Sequence, residues 1–187
     1  MYYNNRKISQ SLPVNIARWK RWSREFLPPD PLGGLQSGYA RQYSMREAFL
    51  VALGGHLVGF MKYSVHQARI ILRDIDPWLK KNGFFQWNQK MLMEAEGEKI
   101  KTKYAIYIQK GEMKGRDQEN FGYAVVSCLP SDSETFKYGE QSEGLQIVEF
   151  INSSEEMQRR FFATPFLNLL LIGRFRKWFL SRLHSNV

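Results

Sequence analysis

One stretch leaves few folds open to this chain: residues 13–47, PVNIARWKRWSREFLPPDPLGGLQSGYARQYSMRE. Proline lacks the amide proton and biases the residue before it away from α geometry. Pro13 on one side and Pro28 and Pro29 on the other therefore confine a helix of about three turns, with Asn15 placed as its N-cap. At 100° per residue, Ile16, Trp19, Trp22 and Phe26 fall within one third of the helical wheel, while Arg18, Arg21 and Arg24 cover the opposite side. One face suits a core and the other an anion. Gly33, Gly34 and Gly38 follow. Access to positive φ predicts a sharp reversal there, a small hairpin whose tip or return strand carries Tyr39, Ala40, Arg41, Gln42 and Tyr43.

The residues after the hairpin read as two more helices. Ser44 and Glu47 have the S-x-x-E spacing of a capping box, and Phe49, Leu50, Leu53, Leu57 and Phe60 or Met61 recur at helical spacing behind it. Gly54 and Gly55 lie mid-helix, where they permit close approach or a local break. Ser64 and Gln67 repeat the capping spacing, and Val65, Ala68, Leu72, Ile75 and Leu79 form the next stripe, which ends in Lys80, Lys81, Asn82 and Gly83. Ahead of the stretch, residues 1–12 read as a weak helix. Asn5, Ser9 and Ser11 stand where apolar residues would pack, and Tyr2, Tyr3, Ile8 and Leu12 are expected to make up the deficit.

Beyond residue 83 the period changes. Residues 84–98 read as a linker. Ile100, Thr102, Tyr104, Ile106 and Ile108 then alternate with more polar neighbours, as in a strand. Phe121–Leu129 reads as the returning strand and Leu145–Ile151 as a third, separated by polar loops. Pro165 breaks the chain before the apolar run Phe166–Ile172, which is far shorter than the roughly 20 residues a bilayer requires. Arg174, Arg176, Lys177 and Arg182, mixed with Phe175, Trp178 and Phe179, describe a basic amphipathic helix. It is suited to docking on the protein or on a second subunit, and it leaves open a membrane surface or nucleic acid.

The net charge of +9 is unevenly spread. Residues 1–83 carry 13 Lys and Arg against 5 Asp and Glu, residues 84–158 carry 8 against 13, and residues 159–187 carry 6 against none. The ends therefore favour a polyanionic partner, whereas the acidic middle would repel a phosphate backbone. Cys128 is the single cysteine, which excludes an intramolecular disulfide and a multi-cysteine zinc site. His56 has no Cys, Asp or second His at ligand spacing, and Glu94, Glu96 and Glu98 read as a solvated linker. No nucleophile with a base and an orienting acid is visible. No enzymatic activity, cofactor or metal is expected. The polar, tyrosine-rich first residues do not read as a secretory leader.

The order of these elements resembles the MerR-type winged helix-turn-helix: a short helix ending WSREFLPP, a glycine-containing wing ending GYARQYS, and a capped apolar helix, over roughly residues 5–81. The resemblance implies a recognition helix in the major groove and a wing on the flanking backbone. Lys20 takes the place of the family's helix arginine, Arg21 and Trp22 that of its paired aromatics, and Tyr39, Arg41 and Tyr43 that of the wing's backbone-contacting residues. With the helix cations, the expected DNA-binding set is Arg18, Lys20, Arg21, Arg24, Tyr39, Arg41 and Tyr43.

The expected fold is therefore α+β: a winged helix-turn-helix of four helices and a small wing over residues 1–83, a linker over 84–98, and a small antiparallel sheet with C-terminal helices over 99–187. The expected partner is double-stranded DNA, bound by a homodimer because one winged domain covers a half-site. The setting is a bacterial cytoplasm, and no motif names an effector. A second reading makes the winged unit a protein-binding adaptor whose basic C-terminal helix meets a membrane surface or a partner.

Overall fold

The computed structural model describes residues 2–30, 40–87, 103–111, 120–128, 145–163 and 167–184. The chain is α+β, and it divides into two compact units, Met1–Trp87 with Phe175–Val187, and Asn88–Arg174.

The first unit begins with strand β1 (Tyr2–Asn4), which the sequence reading took as part of a helix, followed by α1 (Asn5–Ser11). Asn4 caps α1 by accepting from Lys7 N at 2.9 Å. Tyr3, Ile8 and Leu12 are buried as expected, but Tyr2 is 71% exposed, because alternation along a strand turns neighbouring side chains to opposite faces. Next comes α2 (Ile16–Phe26), whose Asn15 cap accepts from Ala17 N at 2.7 Å and Arg18 N at 3.3 Å. Residues 31–39, where the hairpin tip was expected, lie outside the described residues. The chain returns as β2 (Gln42–Ser44), which pairs antiparallel with β1 in the register Tyr3 opposite Tyr43.

Helix α3 (Met45–Gly59) opens with the expected capping box. Ser44 Oγ accepts from Glu47 N at 3.2 Å, and Glu47 Oε2 accepts from Ser44 N at 2.8 Å. Helix α4 (Val65–Lys81) repeats the device with Ser64 and Gln67, and ends before Gly83, whose φ of 68° suits glycine. Phe60 departs from the apolar stripe read in the sequence. It lies beyond the last turn of α3 and is 77% exposed.

Helix α3 is the hub of this unit, and its two sides have different partners. A Cβ on Gly55 would lie 2.3 Å from the Trp22 ring, and one on Gly54 would lie 2.5 Å from the Phe26 ring. The two glycines are thus the seat on which α2 rests. Roughly opposite on the wheel, about 160° round, are Phe49 and His56. The Phe49 ring meets Phe85, Trp87, Phe175 and Phe179 at centroid distances of 6.0, 5.7, 5.6 and 5.4 Å.

These contacts revise the expected domain boundaries. Phe84–Trp87, read as linker, belongs to the first unit. So does the C-terminal helix from Phe175 onward, part of the element Ile172–His184. An aromatic as large as Phe49 on the second side of α3 needs cover, and these segments supply it. Arg176 is fully buried there. Its Nε donates to Phe84 O at 3.2 Å, an Nη donates to Gln86 O at 3.1 Å, and its guanidinium lies 4.9 Å from the Trp87 ring centroid.

The second unit is a four-stranded antiparallel sheet built from β3 (Tyr104–Lys110), β4 (Phe121–Cys128), β5 (Leu145–Ile151) and β6 (Asn168–Leu170), in the order β5-β4-β3-β6. Ile100 and Thr102 of the expected first strand lie outside the described residues. The sequence reading missed β6, because an apolar run too short to show a period does not distinguish strand from helix. On β5 the register steps from Val125 opposite Glu149 to Val126 opposite Ile147, which makes Val148 a bulge. A short helix, α5 (Glu155–Arg160), packs closely on β4. A Cβ on Gly122 would lie 2.4 Å from Met157 Cε. After it come a 3-10 turn (Phe161–Ala163), β6, and the C-terminal helix α6 (Ile172–His184). Among the described residues, no helix is long and apolar enough to cross a membrane.

Candidate nucleic-acid interface

The expected binding residues separate into three groups once side chains are in place. Arg18, Lys20, Arg21 and Arg24 are all exposed on α2, and no described carboxylate lies within 4.0 Å of any of them. The opposite face of the helix is held rigidly. Trp19 is fully buried with its ring edge-on to Tyr43 at 5.6 Å, and Trp22 and Phe26 rest on Gly55 and Gly54. Arg69 of α4 fastens the end of the helix, donating from Nε to Glu25 O at 2.8 Å and pairing with the Glu25 carboxylate. Four cations are thus presented on a helix whose position is set by packing.

Arg41 and Tyr43 form the second group, and here the expectation needs correction. Tyr43 is 1% exposed, and its hydroxyl is hydrogen-bonded to Asn5 Oδ1 at 2.8 Å and Ser23 Oγ at 3.0 Å. Both its ring and its hydroxyl are committed to joining β2, α1 and α2. Tyr43 follows an exposed Gln42 on a three-residue strand, so alternation turns it inward. The Arg41 side chain is only 14% exposed. It donates from Nη1 to Pro28 O at 3.0 Å, lies 3.6 Å from Glu47 Oε1, and sits over the Tyr43 ring. Arg41 ties the chain entering β2 to the chain leaving α2, and is a positioning residue. Tyr39, the third part of the set, lies outside the described residues.

Two features escaped the sequence reading. Ile16, assigned to the apolar face of α2, is 41% exposed, and Ala17 beside it is exposed as well. At the first turn there is no preceding turn to cover them, and the wheel shows angle but not depth. On α1, Arg6 and Lys7 join Asn4, Gln10 and Ser11 around a shallow groove of about 510 Å³.

No protein-family model matches this chain, and no curated protein matches it. What the site can do therefore rests on its own chemistry. Among the described residues, no three His, Cys, Asp or Glu side chains converge as metal ligands. His56 is half-buried, stacked on Phe60 at 5.1 Å and tilted against Phe175 at 5.1 Å, and burial lowers its pKa from the ordinary 6.5. The basic C-terminal helix has buried the apolar side that would enter a membrane. Phe175, Phe179, Leu180 and Leu183 are all packed, which leaves Arg174, Lys177, Trp178 and Arg182 outside.

Proposed function

We propose that this protein binds double-stranded DNA sequence-specifically as a winged helix-turn-helix of MerR type, with α2 as the recognition helix, and that it acts as a dimeric transcriptional regulator. The observation that carries the reading is the cationic side of α2: Arg18, Lys20, Arg21 and Arg24 exposed without described carboxylate partners, on a helix fastened from behind by two tryptophans, a phenylalanine and Arg69. A rigid helix with a free cationic side suits the major groove, which is wide enough to admit it. The pairing of the N-terminal strand with the strand after the wing, and the two capped helices that follow, support the same reading. One such helix covers a half-site, so tight binding calls for two protomers on a two-fold-related site.

The test is selection of the full-length protein on random duplex DNA at near-physiological salt, followed by titration of the enriched duplex at several salt concentrations. The expected result is an enriched inverted repeat whose affinity falls log-linearly with salt, each neutralised phosphate contributing about 0.9 to the slope. Replacing Arg18, Lys20, Arg21 and Arg24 together with alanine should abolish binding while leaving the circular dichroism and unfolding midpoint close to wild type. Retention of random DNA without any enriched sequence, or binding that survives the fourfold substitution, overturns the reading.

A further inference from the structure

The outward chemistry of α2 is restricted in kind. The side chains exposed on it are Ile16, Ala17, Arg18, Lys20, Arg21 and Arg24: two aliphatic groups and four cations. Its single carboxylate, Glu25, is held by Arg69 through both its side chain and its carbonyl. The nearest amide is Asn15, whose Oδ1 accepts from Ala17 N and Arg18 N as the helix cap. In the major groove each base presents a different edge. Guanine offers two acceptors suited to Arg or Lys, adenine an acceptor and a donor suited to Asn or Gln, cytosine a donor suited to Asp or Glu, and thymine a methyl group suited to an aliphatic side chain. Helix α2 has free groups that match guanine and thymine, but no uncommitted amide oxygen or carboxylate for the bidentate adenine pair or the cytosine amino group.

We infer that α2 reads guanine and thymine on the strand it faces, with Ile16 and Ala17 against a thymine methyl and Lys20 or Arg21 on guanine O6 and N7. The inference rests on the DNA-binding reading above and adds to it the base chemistry of the site. Ala17 is placed for this role. On the wheel it falls between Arg24 and Arg21, within about 40° of either, so it lies in the middle of the cationic arc at the end of the helix that typically meets the bases. Its single methyl lets the backbone approach a base edge that the longer neighbours reach around. The exposed flank of Ile16 adds aliphatic surface that burial in the groove would remove from water.

The spacing follows from helix geometry. At 1.5 Å per residue, Ala17 and Arg21 are about 6 Å apart along the axis, a little under two base steps of roughly 3.4 Å. Thymine and guanine should therefore lie within two base pairs of each other in each half-site.

The experiment uses the full-length chain and the duplex enriched from a random pool. Each thymine of the half-site is exchanged in turn for uracil, which keeps the hydrogen-bonding edge and lacks the methyl. At one position the exchange should weaken wild-type binding about fourfold, the effect of one buried methyl-sized group. In Ala17→Gly or Ile16→Ser the same exchange should cost markedly less. Comparing thymine with uracil within each variant cancels whatever the substitution does to the helix itself. An enriched site indifferent to every exchange, or a uracil penalty undiminished in both variants, overturns the inference and leaves sequence-specific DNA binding standing. A pool that yields no enriched sequence overturns both.

Discussion

Replacing Gly55 with alanine tests the seat of α2 directly. An added Cβ would stand 2.3 Å from Trp22 Cε3 and Cζ3 and 2.7 Å from Cδ2, whereas ordinary contact begins at 3.4 Å, so the ring must withdraw by about 1.1 Å or leave. The ring system is rigid, and a Cβ on neighbouring Gly54 would meet Phe26 just as closely, so there is little room for α2 to settle elsewhere. Overpacking of this kind costs roughly 1–3 kcal/mol, and alanine's helix preference over glycine offsets about 1 kcal/mol of that. The expected net loss is about 1 kcal/mol. In a unit of this size that corresponds to a fall in Tm of roughly 4–8 °C.

Gly59 supplies the control. It lies on the same helix, and nothing would come within 4 Å of its added Cβ. Gly59→Ala should therefore be neutral or stabilising by up to about 1 kcal/mol. Thermal unfolding followed by circular dichroism separates the two. If Gly55→Ala matches or exceeds Gly59→Ala in stability, the placement of α2 on α3 is wrong, and with it the rigidity on which the proposed DNA-reading surface depends.

Tyr43→Phe should lower stability by about 1–2 kcal/mol in urea titration, because it leaves the buried Ser23 hydroxyl and Asn5 Oδ1 without their shared partner. DNA affinity of the folded variant should stay at the wild-type value, and a specific loss of affinity would return Tyr43 to the wing contacts. His56 gives a pH dependence. Its folded-state pKa lies below the ordinary 6.5, so the unfolded chain takes up a proton first as the pH falls. Its contribution is constant above that value and declines as the pH drops from about 6.5 toward the folded pKa. His56→Phe should flatten this part of the profile, measured as urea midpoints from about pH 8 down to about pH 5, and an unchanged slope would refute it.

Much of the first unit is legible without coordinates because it depends on short-range chemistry. The Asn15 cap, the Pro28-Pro29 stop, the capping boxes at Ser44 and Ser64, and the break after Lys81 each act within a few residues, so local reading finds them. The three longer strands emerge in the same way from their bounded apolar runs, and the cations of α2 from a helical wheel. Strands of three residues, such as β1 and β6, do not, since their pairing partners lie far along the chain.

Depth, side-chain orientation and long-range partners are decided only in three dimensions. The wheel put Ile16 in the core and the resemblance gave Arg41 to the DNA backbone, while the fold exposes the first and clamps the second between Pro28 O and Glu47. Nothing near Phe84 or Phe175 announces that both segments cover Phe49, more than 30 residues away in one case and more than 120 in the other. A sequence read locally carries the caps, stops and periods that make each helix. Which aromatic surface meets which, and hence which basic and apolar groups remain outside, follows from closing the core around α3.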